Sequence, residues 1–213
     1  MPVMEQELEQ YILHHIDNEG QLLSQLNRDT HVNLLRPRML SGHLQGRILK
    51  MICRMISPVR ILELGTFTGY SALCMAEALP DNGELHTIEI DDELETFILK
   101  YFDRSPYRDR IHLHIGDARE VVPQLDGPFD MVFIDANKRL YCDYYDLVFD
   151  KVRPGGFILA DNTLWDGKIL QPPLPSDAQT IGIMRFNEKI AADTRVEKVI
   201  LPLRDGLTLI YKK

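Results

Sequence analysis

The chain has 213 residues, 45% of them hydrophobic and 26% charged, enough for one globular core without a second domain. Its formal net charge of −8 excludes nucleic acid as the default substrate, because a phosphate backbone calls for a basic face. No apolar run reaches membrane-spanning length and no leader pattern opens the chain, while three scattered cysteines, Cys53, Cys74 and Cys142, read as reduced thiols of a cytoplasmic protein.

From Met4 to Leu26 the apolar residues Leu8, Tyr11, Ile12, Ile16, Leu22, Leu23 and Leu26 recur at helical spacing, broken at Asn18-Glu19-Gly20. Pro37 disfavours helix at Arg36, and a further helix is expected from Gly42 to Ile56, before Pro58. We read 1–57 as a helical preface and 58–213 as an α/β body, together one domain. Strands are expected at 59–64, 85–90, 111–115, 129–134 and 156–161, alternating with helices, which predicts a mostly parallel sheet with helices on both faces. The Pro-rich segment 170–179 reads as a surface loop. A helix near Ile181–Ala192 then leads to RVEKVILPL and LTLIYKK, which flank Asp205-Gly206 and predict an antiparallel hairpin.

The strand ends carry the chemistry. VRILELGTFTGY places Glu63 at the end of the first strand, before a loop containing Gly65 and Gly69. A dinucleotide site wants three glycines as G-x-G-x-x-G, and a carboxylate here would repel a phosphate. It suits a ligand with a positive end, such as the ammonium and sulfonium of S-adenosylmethionine; an ordinary turn with a solvated Glu is the alternative. Glu89 ends the second strand, where such folds hold ribose hydroxyls. Gly116, Asp117 and Ala118 follow the third and are placed to border an adenine, although Asp117 also reads as a helix cap. Asp135 ends the fourth strand, with Lys138 three residues on, and Asp161-Asn162 ends the fifth. If those strands are neighbours, two carboxylates and an amide oxygen make a hard site for Mg²⁺, Mn²⁺ or Ca²⁺. Caps and turns explain the same residues taken singly.

The segments ILELGTFTGYSALCMAEALP, FDMVFIDANKRLYCDYYDLV, VRPGGFILADNTLWDGKIL and LPLRDGLTLIYKK resemble the caffeoyl-CoA and catechol O-methyltransferase family. The resemblance covers nearly the whole chain, and the paired patterns Asp-x-x-Lys-x-x-Tyr and Asp-Asn-x-Leu-Trp-x-Gly are specific together. It implies a Rossmann-like methyltransferase fold with a mostly parallel seven-stranded sheet. It also implies methyl transfer from S-adenosylmethionine to one hydroxyl of a vicinal diphenol, dependent on a divalent cation, Mg²⁺ first. Carried over, Glu63 and Gly65 hold the methionine part of the cofactor, Ser71 bonds its carboxylate, and the backbone at Met39 and Ser41 closes over it. Glu89 takes the ribose diol, and Asp117 with Ala118 borders the adenine. Asp135, Asp161 and Asn162 bind the metal, Asp135 also bordering the cofactor, and Lys138 is the general base. The implied partners are a small catechol-type acceptor and a second copy of the chain, with neither nucleic acid nor membrane. The sequence departs from the family at Asn137, where an acid is usual, at Glu89, where Asp is frequent, around Gly42-His43, which lacks an acidic pair, and at Asp166. Lys138 has a plain alternative as a surface lysine pairing with Asp143 or Asp146. Trp165 is expected to wall the acceptor pocket. Two other functions remain open on the residues alone: a non-catalytic S-adenosylmethionine-binding protein and an NAD-dependent oxidoreductase.

Overall fold

The computed structural model describes residues 6–213; Met4, where the first helical pattern was read to begin, lies outside them. In chain order the helices are α1 (Gln6–His15), α2 (Gln21–Asn33), α3 (Gly42–Ile56), α4 (Tyr70–Ala76), α5 (Glu95–Phe102), α6 (Ala118–Val121), α7 (Tyr141–Phe149) and α8 (Ala178–Ala192). The strands are β1 (Arg60–Leu64), β2 (Glu84–Glu89), β3 (Ile111–Ile115), β4 (Phe129–Ile134), β5 (Val152–Asp161), β6 (Val196–Leu201) and β7 (Leu207–Lys212). Among the described residues they form a seven-stranded mixed sheet in the order β3-β2-β1-β4-β5-β7-β6, with helices around it. The described residues group into two compact units, one running up to Val59 and from Thr66 to Gly116, the other made of Arg60–Gly65 and Asp117–Lys213.

The first unit holds α1–α5, β2 and β3. On α3 the buried positions Gln45, Gly46, Leu49, Ile52 and Cys53 follow the helical period. The helix stops at Ser57, whose left-handed φ of 53° precedes Pro58. Arg47 of α3 makes a two-pronged bond to Glu77, at 3.0 and 3.1 Å, and Lys50 joins the same carboxylate at 2.7 Å. β2 and β3 are parallel, with Leu85 opposite Ile111 and Glu89 opposite Ile115.

The second unit contains strands β1 and β4, buried except at Arg60 and Asp130, in parallel register from Ile61 opposite Met131 to Leu64 opposite Ile134. β4 pairs in parallel with β5, and β7 runs antiparallel to both β5 and β6. The C-terminal hairpin is therefore present, and β7 is its inner strand. β5 begins four residues earlier than the sequence suggests. Pro154 and Gly155 lie before the expected start, but the backbone stays in the sheet through an irregularity, the register passing from Phe129 opposite Val152 to Met131 opposite Phe157. The helix before the hairpin also starts earlier, at Ala178, because Asp177 caps it by accepting from the Thr180 amide. Tyr141 and Tyr145 of α7 meet Phe186 of α8 edge-on, at centroid distances of 5.4 and 6.2 Å.

Candidate active site

In the second unit the ends of β1, β4 and β5 are adjacent, since Leu64, Ile134 and Ala160 are in register. The Asp135 amide donates to the Leu64 carbonyl at 2.9 Å, which ties the residue after β4 to the end of β1. Gly65 comes next on β1's side, with φ of 97°, and a Cβ there would lie 2.1 Å from the Asp135 carbonyl oxygen. Only glycine fits this approach. Glu63 is fully buried one residue earlier, on the strand.

Lys138 opens a 3-10 turn, Lys138–Leu140, that Asn137 caps by accepting from the Arg139 amide. This gives Asn137 a structural task. Lys138 Nζ lies 2.7 Å from Asp135 Oδ1 and 5.3 Å from the centre of the Tyr141 ring. The Tyr141 hydroxyl in turn donates to the Asp161 carbonyl at 3.0 Å and reaches the Ile134 carbonyl at 3.3 Å, joining the ends of β4 and β5. Burial acts to lower the Lys138 pKa, but the charges of Asp135 and Asp161 and the Tyr141 hydroxyl outweigh it, and the net direction is upward. The plain alternatives for Lys138 are not realised: it pairs with Asp135, and Lys189 takes Asp146.

Asp161, the last residue of β5, is buried, and Asn162 follows in the left-handed region at φ 58°. Trp165 and Asp166 are also left-handed, at φ 46° and 53°. Non-glycine residues held there mark a backbone that its surroundings over-determine. The surroundings are identifiable. The amides of Thr163 and Leu164 donate to the carbonyls of Gly206 and Asp205, at 3.1 and 2.7 Å, and Asn187 of α8 donates to the Thr163 carbonyl at 2.7 Å. The Trp165 indole Nε1 is buried without a hydrogen-bond partner, a donor that an acceptor molecule's oxygen can satisfy.

Asp117 caps α6, its Oδ1 accepting from the Arg119 amide at 2.8 Å, while its Oδ2 takes the Arg119 guanidinium at 2.6 Å. That pairing holds its carboxyl below the usual aspartate range. The helix-cap alternative is thus realised, and Ala118 beside it is the buried residue of the pair.

The first unit carries the other predicted residues. Glu89 is buried at the end of β2; its Oε2 accepts from the Phe67 amide at 2.6 Å and its Oε1 from the Asp91 amide at 3.0 Å. Burial pushes its pKa up, against the downward pull of those amides. The loop it holds contains Phe67 at φ 50° and is bonded again from the Thr66 amide to the Ile88 carbonyl at 3.1 Å. Ser71 is buried in the first turn of α4. Ser41 is buried just before α3, whereas Met39 is 54% exposed in the 3-10 turn Pro37–Met39.

Asp135, Asp161 and the Asn162 amide offer a hard oxygen set, and the Lys138 ammonium already lies against Asp135 as a cation would. A divalent ion of the Mg²⁺ type fits such donors.

A family model described as O-methyltransferase matches residues 14–213. A catechol O-methyltransferase of Niastella koreensis is 38% identical over 178 residues, covering 79% of this chain and 80% of that protein. Caffeoyl-CoA O-methyltransferase 1 of Eucalyptus globulus is 35% identical over 178 residues, covering 78% of this chain and 71% of its own length. Among solved structures, a Streptomyces achromogenes O-methyltransferase involved in tomaymycin synthesis, in complex with S-adenosylmethionine, superposes with a TM-score of 0.90. It is 31% identical, over 99% of this chain and 100% of that one. A Bacillus cereus O-methyltransferase in complex with S-adenosylhomocysteine gives a TM-score of 0.91 at 26% identity, over 97% of each chain. With the acids at successive strand ends and the lysine turn after β4, these matches identify the chain as a member of the S-adenosylmethionine-dependent O-methyltransferases of the caffeoyl-CoA and catechol type.

Proposed function

We propose that this O-methyltransferase acts on a vicinal diphenol with the help of a divalent cation, held by Asp135, Asp161 and Asn162, and that Lys138 is its general base. The observation that carries the reading is the Asp135–Lys138 pair, set beside Asp161 by the Tyr141 hydroxyl. A bound cation would supply Lewis acidity that favours ionisation of a phenol, whose pKa near 10 otherwise keeps it a weak nucleophile. Lys138 is the nearby amine able to receive the phenol proton. Burial favours its neutral form, while Asp135, the Tyr141 hydroxyl and Asp161 oppose this. Engaging those carboxylates elsewhere shifts the balance toward the neutral amine that a base requires. The ionised oxygen then attacks the sulfonium methyl; the C–S bond breaks as the O–C bond forms, and S-adenosylhomocysteine leaves. The buried Trp165 Nε1 supplies a donor for an acceptor oxygen.

For the methyl donor, we assign Glu89 to the ribose diol, Glu63 and Gly65 with Ser71, Met39 and Ser41 to the methionine part, and Asp135 to the cofactor's border. Ala118 is assigned to the edge of the adenine; Asp117, whose carboxylate is committed to Arg119, acts there by holding the backbone of α6. We read residues 1–213 as one methyltransferase domain working as a cytoplasmic homodimer. The free thiols of Cys53, Cys74 and Cys142 support a reducing compartment. Exposed Leu8 and Tyr11 of α1, and Leu170 and Leu174 of the Pro-rich loop, supply apolar surface for a second copy. No helix among the described residues is long and apolar enough to cross a membrane.

The test is methyl transfer to catechol and to a size-matched monophenol, with calorimetry of S-adenosylhomocysteine alongside. Stripping metal with EDTA is expected to abolish turnover while leaving much of the S-adenosylhomocysteine binding, and Asp161→Ala is expected to do the same. The monophenol should react about a hundredfold more slowly, the scale of a 1 Å misplacement. Full-rate catechol methylation by demonstrably metal-free enzyme would show that the oxygen-ligand reading is wrong.

A further inference from the structure

Three histidines of the first unit take no part in the chemistry above. They sit on β2 and β3, where His86 is directly opposite His112, and Ile88 opposite His114. Strand alternation puts Glu84 and His86 on one face of β2 and His112 and His114 on the same face of β3. His86 stands between its neighbours, with ring centroids 4.8 Å from His112 and 5.3 Å from His114. Its Nδ1 is 3.0 Å from His114 Nε2, and its Nε2 is 3.4 Å from Glu84 Oε1. His112 Nε2 is 3.8 Å from Glu84 Oε2. One ligand atom from each of Glu84, His86 and His112 lies within 4.8 Å of the others.

We propose that Glu84, His86 and His112 form a binding site for a divalent transition-metal ion of the zinc type, with His114 as the outer partner that orients His86. Two imidazole nitrogens and one carboxylate oxygen are the donors such an ion prefers, and not those of Mg²⁺ or Ca²⁺. A tetrahedral ion with bonds of about 2.0–2.2 Å spaces its ligands roughly 3.3–3.6 Å apart. The 3.4 and 3.8 Å separations reach different oxygens of Glu84, and with one donor atom from each residue within 4.8 Å of the others, rotation of the side chains brings the three to that spacing. A ligating histidine characteristically gives its other ring N–H to a fixed acceptor. His86 can do so, Nδ1–H donating to His114 Nε2, which leaves Nε2 turned toward Glu84. Burial first, and then neighbouring imidazole charge, lower the pKa of His86 and His114, consistent with the neutral rings that metals bind. The side chains of His112 and Glu84 are 44% and 36% exposed, which gives an ion a way in and a water its fourth position.

This site is distinct from the one assigned to the methyl donor within the same unit. Glu84 starts β2 and Glu89 ends it, five residues and roughly 16 Å along the strand. The expected consequence of binding is a brace across β3 and β2 that raises the melting temperature by mass action.

The experiment uses untagged protein, freed of metal with EDTA and desalted, titrated with Co²⁺ by visible absorption and with Zn²⁺ by calorimetry. One equivalent of Co²⁺ should give the intense bands of a tetrahedral ion, which Zn²⁺ then displaces, with a rise in Tm. His112→Ala should abolish the bands and weaken Zn²⁺ at least as much as loss of an outer partner does. His114→Gln, which removes that outer partner, should weaken it about 10–100-fold. Asp161→Ala should leave both signals unchanged, which separates this site from the oxygen ligands assigned to the reaction. Glu84→Gln is the second ligand variant, and circular dichroism establishes that each variant is folded before titration. Absence of saturable Zn²⁺ binding, tetrahedral bands that survive in folded His112→Ala and Glu84→Gln, or bands lost in Asp161→Ala alone would overturn the proposal.

Discussion

Gly65→Ala is the sharpest test of how the strand ends are held. The new Cβ would sit 2.1 Å from the Asp135 carbonyl oxygen, where ordinary contact begins at 3.4 Å, so that carbonyl must retreat by roughly 1 Å. The backbone would also keep φ near 97°, a region that costs a residue with a Cβ about 1–3 kcal/mol. Retreat strains the bond from the Asp135 amide to the Leu64 carbonyl, worth a further 0.5–1.5 kcal/mol or about that. At roughly 2–4 °C per kcal/mol for a chain of this size, Tm should fall by about 3–18 °C. Gly20→Ala is the control: φ is 81° there, but nothing lies within 4 Å of its Cβ, so only the conformational cost applies. Methyl transfer, assayed well below both melting points, should fall about a hundredfold in Gly65→Ala, because Asp135 and the Lys138 bonded to it are displaced. Gly20→Ala should turn over as the wild type does. If Gly65→Ala matched the Gly20→Ala variant in both Tm and rate, the close approach of β1 and Asp135 would have no bearing on catalysis.

Glu89→Ala removes a charged acceptor assigned to two ribose hydroxyls, each such bond contributing about 1.5–3 kcal/mol, so S-adenosylhomocysteine should bind at least about tenfold more weakly; unchanged calorimetric affinity would take Glu89 out of the site. Asp193 accepts from the Tyr145 hydroxyl at 3.0 Å and from the Arg195 amide and guanidinium at 2.9 and 2.6 Å, and the Arg195 bonds hold its carboxyl well below its ordinary value. A depressed folded-state pKa means stability that is complete above the ordinary aspartate value of 3.8 and is lost progressively as pH falls below it toward the folded value. The Tm gap between wild type and Asp193→Asn should therefore be constant from neutral pH to about 5 and close on further acidification; a gap that widens in acid would contradict the sign.

The parts of the structure that were legible in the sequence are those in which one short segment carries its own signal. The helix at 42–56 is bounded by Gly42 and Pro58, and its buried face repeats at the helical period, so the expected and observed limits coincide. The strands at 111–115 and 129–134 are runs bounded by turn residues, and they too match. The acids at the strand ends stood out because the fold binds ligands there. Signals failed where a local cue was overruled or ambiguous. Pro154-Gly155-Gly156 hid the start of β5, and Asp117 carried two meanings until Arg119, two residues on, was seen to occupy it. Glu84-x-His86 and His112-x-His114 are unremarkable apart; only the register of β2 on β3 makes them one cluster.

The loop after β5 shows how a segment singled out in the sequence takes its conformation from residues far along the chain. Asn162 and Asp166 occupy left-handed conformations that Asn and Asp adopt more readily than other side-chain-bearing residues, and Trp165 occupies one that its bulky side chain disfavours. What holds them is distant in sequence: the carbonyls of Asp205 and Gly206 take the amides of Thr163, Leu164 and Trp165, and the Thr208 hydroxyl donates to that of Thr163 at 2.8 Å. Gly206 can pack there because it has no Cβ, which would lie 2.5 Å from Leu164 Cγ. Asp205-Gly206 thus does more than turn the chain between β6 and β7. The same two residues that announce a hairpin also fix the backbone that presents Asn162 and turns Trp165 inward. The hairpin accordingly supports the proposed site through backbone position.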